Sequence, residues 1–297
     1  MGRFKFVLFR PLQVIPVLIG VSIITFVLIR PIPADPVRVL LGPRAKPSII
    51  ASVREQYGLD EPLVVQYFYF IYNLLQGEMG RSIIYRSPVL DVIAERLAPT
   101  IFLLTYALVL TIVIALVLAI WAARNEGRWP DHAIRMFCTA GLGLPAFWLG
   151  IILIMVFSVG LGLFPVSGYG ETFVEHLHHL FLPALTIAIA MAPILIRNLR
   201  ATLIDQLESG YVQTARARGM SEKALFYRHV LPNSLVPTVN LLGVAFAWLI
   251  GGTVVVETVY SIPGMGQLMV SSIFSRDYLL VQGVTLVFAL GIILTNF

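Results

Sequence analysis

The sequence predicts an all-α, polytopic membrane protein with six transmembrane helices, and three observations carry that prediction. Of the 297 residues, 58% are hydrophobic and only 12% charged, with a mean hydropathy of +0.87; soluble domains run roughly 45–50% apolar and about 25% charged. Six apolar segments, approximately 11 to 29, 100 to 123, 136 to 163, 181 to 196, 234 to 256 and 279 to 297, approach or exceed the about 20 helical residues that cross a hydrocarbon core. Lys and Arg are distributed unevenly between the connections. There are three in the N-terminal tail, three in 124 to 135 and six in 197 to 233, against none in 164 to 180 and only Arg276 in 258 to 278. That bias assigns the tail and the two basic connections to the cytoplasm.

The first element, residues 1 to 30, joins Arg3, Lys5 and Arg10 to an apolar run of 18 residues from Leu12 to Ile29. A secretory signal carries about 7–15 apolar residues and an A-x-A-like cleavage site. The following "RPIPADP" has no such site, so the run is read as a retained span. Residues 31 to 98 mix acidic and basic groups in near balance, and at 68 residues the connection is too long for its charge to set topology. It is expected outside. Within it, "SIIASVREQYG" predicts a short helix with Ser48 as N-cap and Gly58 at its end. "DEPLVVQYFYFIYNLLQG" predicts a second from Asp60 to Gly77. The second is too short and polar to span, and its Tyr and Phe content suits a helix lying in the interface.

The fourth segment is short at 16 residues and is expected to continue through Arg197 to Leu203, with Arg197 snorkelling. The sixth still reads apolar at Phe297, which leaves room for a hydrophilic tail. No repeat or low-complexity tract interrupts the chain, which reads as a single integral domain over 1–297.

Several chemistries lack their motif. There is no G-x-x-x-x-G-K-[ST] phosphate loop, no H-E-x-x-H, no C-x-x-C and no G-x-S-x-G, so any work this chain does is powered elsewhere. The basic residues form no aromatic-interleaved patch of the kind nucleic acids need. The lone Cys138 excludes an intrachain disulfide and suits a small buried hydrophobe. In "EHLHHLF", only His176 and His179 share a helical face, giving either interfacial histidines or a weak two-ligand metal site. No Asp, Glu or His lies near the centre of any span, which argues against a proton-driven carrier. Glu257 falls at the outer end of span five, and Arg197 and Arg200 at the inner end of span four. Thr105, Thr111, Asn240 and Trp248 could line a path or bond between helices.

The stretch "QTARARGMSEKALFYRHVLP", 213 to 232, carries Arg216, Arg218, Lys223 and Arg228 between two apolar runs. It predicts a helix to about Arg218, a break at Gly219, a second helix capped by Ser221 with Glu222 in its first turn, and a stop before Pro232. A water-facing elbow of that kind suits a groove on a partner protein; a basic loop resting on anionic headgroups is the other reading.

The elbow resembles the pattern E-A-A, three residues, G, nine residues, I, one residue, L-P of the inner-membrane permease subunits of binding-protein-dependent ABC importers. Here it falls on Gln213, Thr214, Ala215, Gly219, His229, Leu231 and Pro232. Gln213, Thr214 and His229 depart from the general letters, while "YVQTARARG" is similar to the dipeptide, oligopeptide and nickel permeases. "YGLDEPLVVQY", "GEMGRS", "ERLAPT", "FLPALTIAI" and "GGTVVVETVYSIPGMGQL" look like the same branch, so the resemblance covers nearly the whole chain.

The resemblance implies a type I importer transmembrane core over about residues 95–297 and a coupling loop over 205–233. That loop, chiefly Gln213, Thr214, Ala215, Arg216, Ala217, Arg218, Gly219, Met220, Ser221, Leu225 and Phe226, with Leu231 and Pro232 closing it, would dock on an ATPase. The implied partners are a second permease, two cytoplasmic ATPase subunits, an extracytoplasmic solute-binding protein and the bilayer. This chain would bind no cofactor, ATP and Mg belonging to the ATPases. Pro263 and Gly264 of "SIPGMG" would form part of an outer gate or simply reverse the chain. Glu257 would pair with a peptide ammonium group or make a helix-end hydrogen bond.

Overall fold

The computed structural model describes residues 3–29, 37, 42, 45–56, 58 and 60–295, with side chains of the first helix described over 14–27. Among these residues every regular element is helical: α1 (Arg3–Ile29), α2 (Pro47–Gln56), α3 (Leu63–Leu75), α4 (Val89–Arg124), α5 (Trp129–Gly143), α6 (Ala146–Leu153), α7 (Phe173–Leu207), α8 (Gly210–Ala217), α9 (Glu222–Leu225), α10 (Leu231–Val259), α11 (Met265–Ser275) and α12 (Tyr278–Thr295). By length and composition three helical stretches can cross a membrane: 89–124, 173–207 and the continuous 222–259. The pair α5 and α6 makes a fourth if its two arms form one span. The chain forms two compact units, residues 1–100 with 263–295, and residues 101–262.

In the first unit α1 and α11 pack on α12. Val89, Val92 and Ile93 meet Met265, Leu268, Leu280 and Val284 in a buried cluster. The helices approach so closely at Gly283 that a Cβ there would sit 2.6 Å from Val89 Cγ1. Ser22 and the Tyr67 hydroxyl share a hydrogen bond of 2.9 Å between α1 and α3, and Phe26 meets the Tyr67 ring edge-on at 5.3 Å. Helix α3 begins at Leu63 and is closed by Gly77 at φ +83°, near the expected bounds. Helix α2 begins at Pro47, so Ser48 lies inside it rather than capping it; proline, with no N–H to lose, is favoured at a first helical position.

Residues 258 to 278, expected to be a simple connection, contain α11. Asp277, 1% exposed, follows it and caps α12. Its carboxylate accepts from Leu280 N at 3.3 Å, Ser82 Oγ at 2.5 Å and Ile84 N at 3.2 Å. Charge-assisted bonds of this kind contribute about 1.5–3 kcal/mol each, and a cap about 1. Asp277→Ala is therefore expected to destabilise this unit by about 2–3 kcal/mol, read as a lower melting temperature of the purified protein. A change within the scatter of surface variants would show that the carboxylate is dispensable.

The second unit is built on α7, which packs against α5, α6 and α10. It starts eight residues before the apolar run expected to begin at 181, because Thr172 and Glu175 form a reciprocal capping box. Polar residues can thus open a helix that apolar periodicity alone would begin later. The three histidines lie in its first turns and hold the loop ahead of it, donating to carbonyls: His176 Nδ1 to Tyr169 O at 2.8 Å, His178 Nε2 to Leu163 O at 2.9 Å and His179 Nδ1 to Ser167 O at 3.0 Å. At the far end α7 continues past Leu203 to Leu207.

The third apolar segment is not one straight rod. It breaks at Leu144 and Pro145, where α5 and α6 meet at 110°, since proline disfavours helical conformation in the residue before it. Beyond α6 the helix widens to a π turn over Ile154–Gly160.

Candidate functional site

The elbow between α7 and α10 is assembled from local rules. The helix expected to run unbroken to Arg218 instead breaks at Glu208 and Ser209, and α8 restarts at Gly210. Ser209 suits a break because its hydroxyl competes for backbone bonds, donating to Gln206 O at 2.6 Å. Helix α8 then ends where Gly219 takes φ +81°. The Gly219 N–H donates to Arg216 O at 3.0 Å and the Met220 N–H to Ala215 O at 3.2 Å. This 5→2 and 6→1 pair is a Schellman close with glycine at C′. Ala215 and Met220, the two residues that such a close brings together, both pack on the same buried cluster.

After the turn, Ser221 Oγ accepts from Ala224 N at 3.4 Å and starts α9. Pro232 does not end the element. A π turn over Phe226–Val230 leads directly into α10, which has Pro232 in its first turn. A π turn shifts the hydrogen-bond register, and at a helix start proline's missing N–H is an orphan that costs nothing.

What anchors the elbow is its apolar underside. Val212, Leu225 and Val230 are fully buried and Phe226 is 5% exposed; they pack with Ala122 and Ala123 of α4, Ile134 and Cys138 of α5, and Leu199 and Leu203 of α7. At about 1.5–3 kcal/mol per buried side chain, these four contribute on the order of 6–12 kcal/mol. Tyr211 donates to Gln206 Oε1 at 2.6 Å and accepts from Asn233 Nδ2 at 3.2 Å. The Arg124 guanidinium lies 4.4 Å from the centre of the Phe226 ring, in cation–π range.

The Arg216–Glu222 pair bridges the two arms, Nε to Oε1 at 2.5 Å. Both side chains are so exposed that water screens the attraction, and the pair orients the turn more than it stabilises it. Glu222 holds the Arg216 guanidinium above its already high value, so its charge persists at any working pH.

The outer surface is basic and small: Gln213, Thr214, Arg216, Ala217, Arg218, Ser221 and Lys223 are all exposed. Beside it opens a cleft of about 420 Å³ bordered by Arg124, Leu207, Lys223 and Tyr227. The elbow is thus anchored from below and exposed above.

Sequence reasoning missed the residue pair that fixes its base. Asp131, in the first turn of α5 and fully buried, takes a two-point bond from Arg200 of α7: Nε to Oδ1 at 2.5 Å and Nη2 to Oδ2 at 2.6 Å. Gly127 N adds a bond of 3.1 Å to Oδ2. Arg200 was visible as an ionisable group in an apolar run, but nothing local points to Asp131.

The residues expected along a solute path separate. Asn240 and Trp248 are exposed on α10 and share a stripe with Val244, Gly251 and Val255. Glu257 is fully buried. Gly264 is the buried N-cap of α11, with Pro263 half-buried beside it. Thr105 is exposed on α4, whereas Thr111 donates to Ala107 O of its own helix at 2.7 Å.

Apolar helices of spanning length, two of them joined by an exposed basic elbow, define an integral membrane protein. The description "Binding-protein-dependent transport system inner membrane component" matches residues 115–297, and its N-terminal companion matches residues 3–115. The glutathione transport system permease protein GsiC of Escherichia coli (strain K12) is 40% identical over 292 residues, covering 98% of this chain and 94% of that protein. Its counterpart in Salmonella typhi is 39% identical over the same coverage. The crystal structure of an amino acid ABC transporter with histidines superposes with a TM-score of 0.50 at 14% identity, covering 69% of this chain and 93% of that one, a likeness of fold. The chain belongs to the family of inner-membrane permease components of binding-protein-dependent ABC importers, in its peptide and nickel branch.

Proposed function

We propose that this chain forms half of the translocation path of an importer for short peptides, the tripeptide glutathione among them. The observation that carries this reading is the 40% identity, along 98% of the chain, to glutathione transport permeases. Six crossings with a cytoplasmic N-terminus follow from the Lys and Arg bias, with α1, α4, the bent α5–α6 pair, α7, α10 and α12 as the spans. The chain itself is non-catalytic.

The elbow supplies the coupling. Two ATPase subunits closing on ATP would draw the basic outer surface of α8 and α9 with them, and the apolar underside would pass that movement to α4, α5 and α7. ATP shifts the population toward the outward-open state because it binds the closed ATPases better than the open ones. The exposed stripe Asn240, Val244, Trp248, Gly251 and Val255 faces the path or the second permease. The solute-binding protein delivers the peptide to the outer side.

Reconstitution in vesicles with the second permease, both ATPases and the binding protein tests this. Uptake of glutathione or dipeptides should require ATP and all subunits. Uptake by this chain alone under a proton gradient would make it a secondary carrier. Absence of any solute flux from the complete assembly would make it a structural or signalling component, and ATP-driven uptake of nickel chelates or sugars alone would overturn the substrate class.

A further inference from the structure

The elbow hangs between two interruptions of regular helix. On one side α7 breaks at Glu208 and Ser209; on the other the π turn over Phe226–Val230 precedes α10. Helices bend where their ladder is interrupted, so the backbone alone does not fix the elbow relative to the two long helices it joins. Side chains on the membrane side of both interruptions make up for this. The Ser234 hydroxyl donates to Val230 O, at the end of the π turn, at 2.8 Å and reaches Thr202 O of α7 at 3.3 Å. The Thr202 hydroxyl reaches back to Ser234 O at 3.3 Å. One turn further on, Thr238 Oγ1 donates to Asn198 Oδ1 at 3.3 Å.

Each of these hydroxyls also has an acceptor on its own helix, at 2.8–3.2 Å, so the cross-helix arms are shared bonds and individually weak. Their setting gives them weight. Ser234 is fully buried and Thr238 is 5% exposed, and between helices surrounded by lipid it is hydroxyl and amide side chains that hold one helix to the next. The far ends of the same two helices are tied as well: the Thr186 hydroxyl of α7 shares a bond of 2.9 Å with that of Tyr260, the residue that caps α10. Between the two ties α10 packs along α7 more extensively than any other pair of elements does.

We propose that Thr202 and Ser234, backed by Asn198 and Thr238, are positioning residues that make α7, the elbow and α10 a single lever. The lever rests on the coupling role of the elbow and adds the route by which its movement reaches α10, whose exposed stripe of Asn240, Val244 and Trp248 then moves with it. Without the cross-helix bonds, a pull on the elbow would be spent in parting α7 from α10 at the two interruptions.

The test uses the complete importer in vesicles and reads peptide uptake per ATP hydrolysed. Two interhelical bonds in lipid change the ratio of joined to parted helices by about five- to tenfold, which is the ceiling on any loss. Thr202→Val/Ser234→Ala should lower uptake per ATP by about two- to tenfold, with hydrolysis and melting temperature near the parent's. Thr202→Ser, which keeps the hydroxyl, should couple like the parent. In an otherwise cysteine-free complex, spin labels on Ile194→Cys and Val239→Cys, both exposed positions, should show the same spin–spin broadening with and without ATP, and the double variant should make that broadening depend on ATP. Parent-like coupling in the double variant, or an α7–α10 separation that changes with ATP in the parent, would overturn the lever and leave the coupling role of the elbow standing. Uptake, hydrolysis and melting temperature falling together would mark a structural contact and also overturn it. A parent complex with no ATP-driven uptake would remove the coupling role itself, and the lever with it.

Discussion

Replacing Asp131 by alanine is expected to destabilise the second unit by about 3 kcal/mol, the lower end of the 3–5 kcal/mol typical of breaking a buried ion pair. The cost comes from what is left behind. Arg200, its side chain 19% exposed, would keep only the carboxylate of Glu126 at 4.0 Å, itself 52% exposed and loosely held. The Gly127 N–H would lose its acceptor as well. The lower end applies because Arg200 can reach water at one edge, so its charge is not fully stranded.

The readout is the melting temperature of the solubilised complex and proteolysis in the 124–128 connection, which Asp131 ties down. Removing the charge as well, in Asp131→Ala/Arg200→Met, should recover at least half of the loss, since two matched apolar groups avoid the orphaned ion. A double variant no better than Asp131→Ala would mean that packing volume, rather than the unpaired guanidinium, sets the cost.

That pair illustrates where the sequence stops being legible. Its members lie 69 residues apart and meet because α5 packs along α7, a tertiary fact that no local pattern encodes. What could be read was local or strongly periodic. The apolar lengths located the bodies of α1, α4, α7, α10 and α12, but α1, α4 and α7 begin about two to three turns ahead of their apolar runs. Gly219 and Ser221 marked the elbow because a left-handed close and an N-cap demand those residue types wherever they occur. The bend at Pro145 was hidden because the residues immediately on both sides are apolar, and hydropathy has no direction. Pro232 misled for a different reason: a stop signal in a regular helix is harmless where a π turn has already shifted the hydrogen bonds. Helix α11 went unread because "MGQLMVSSIFS" carries too little charge contrast to separate it from its flanks.

Gly219→Val should leave membrane insertion intact and lower ATP-dependent uptake by up to about 5–30-fold. The native φ of +81° is one that a β-branched residue resists, at a cost of roughly 1–2 kcal/mol for a left-handed residue, which is a factor of about 5–30 in the ratio of the native turn to its alternatives and sets the upper bound on the loss of uptake. Nothing lies within 4 Å of where a Cβ would stand, so the penalty is backbone strain with no clash. This separates coupling from packing. Gly219→Asn adds a larger side chain than alanine yet tolerates left-handed geometry, and it should retain most of the uptake, whereas Gly219→Ala should fall between it and valine. If the effect followed side-chain size, with asparagine worse than alanine, the outer surface of the turn would be in contact with a partner. If all three transported like the parent, the shape of the elbow would not govern transport. Membrane insertion rests on the apolar spans and is insensitive to the turn, so correctly inserted but uncoupled protein is the signature to look for, with ATP hydrolysis persisting while solute uptake is lost.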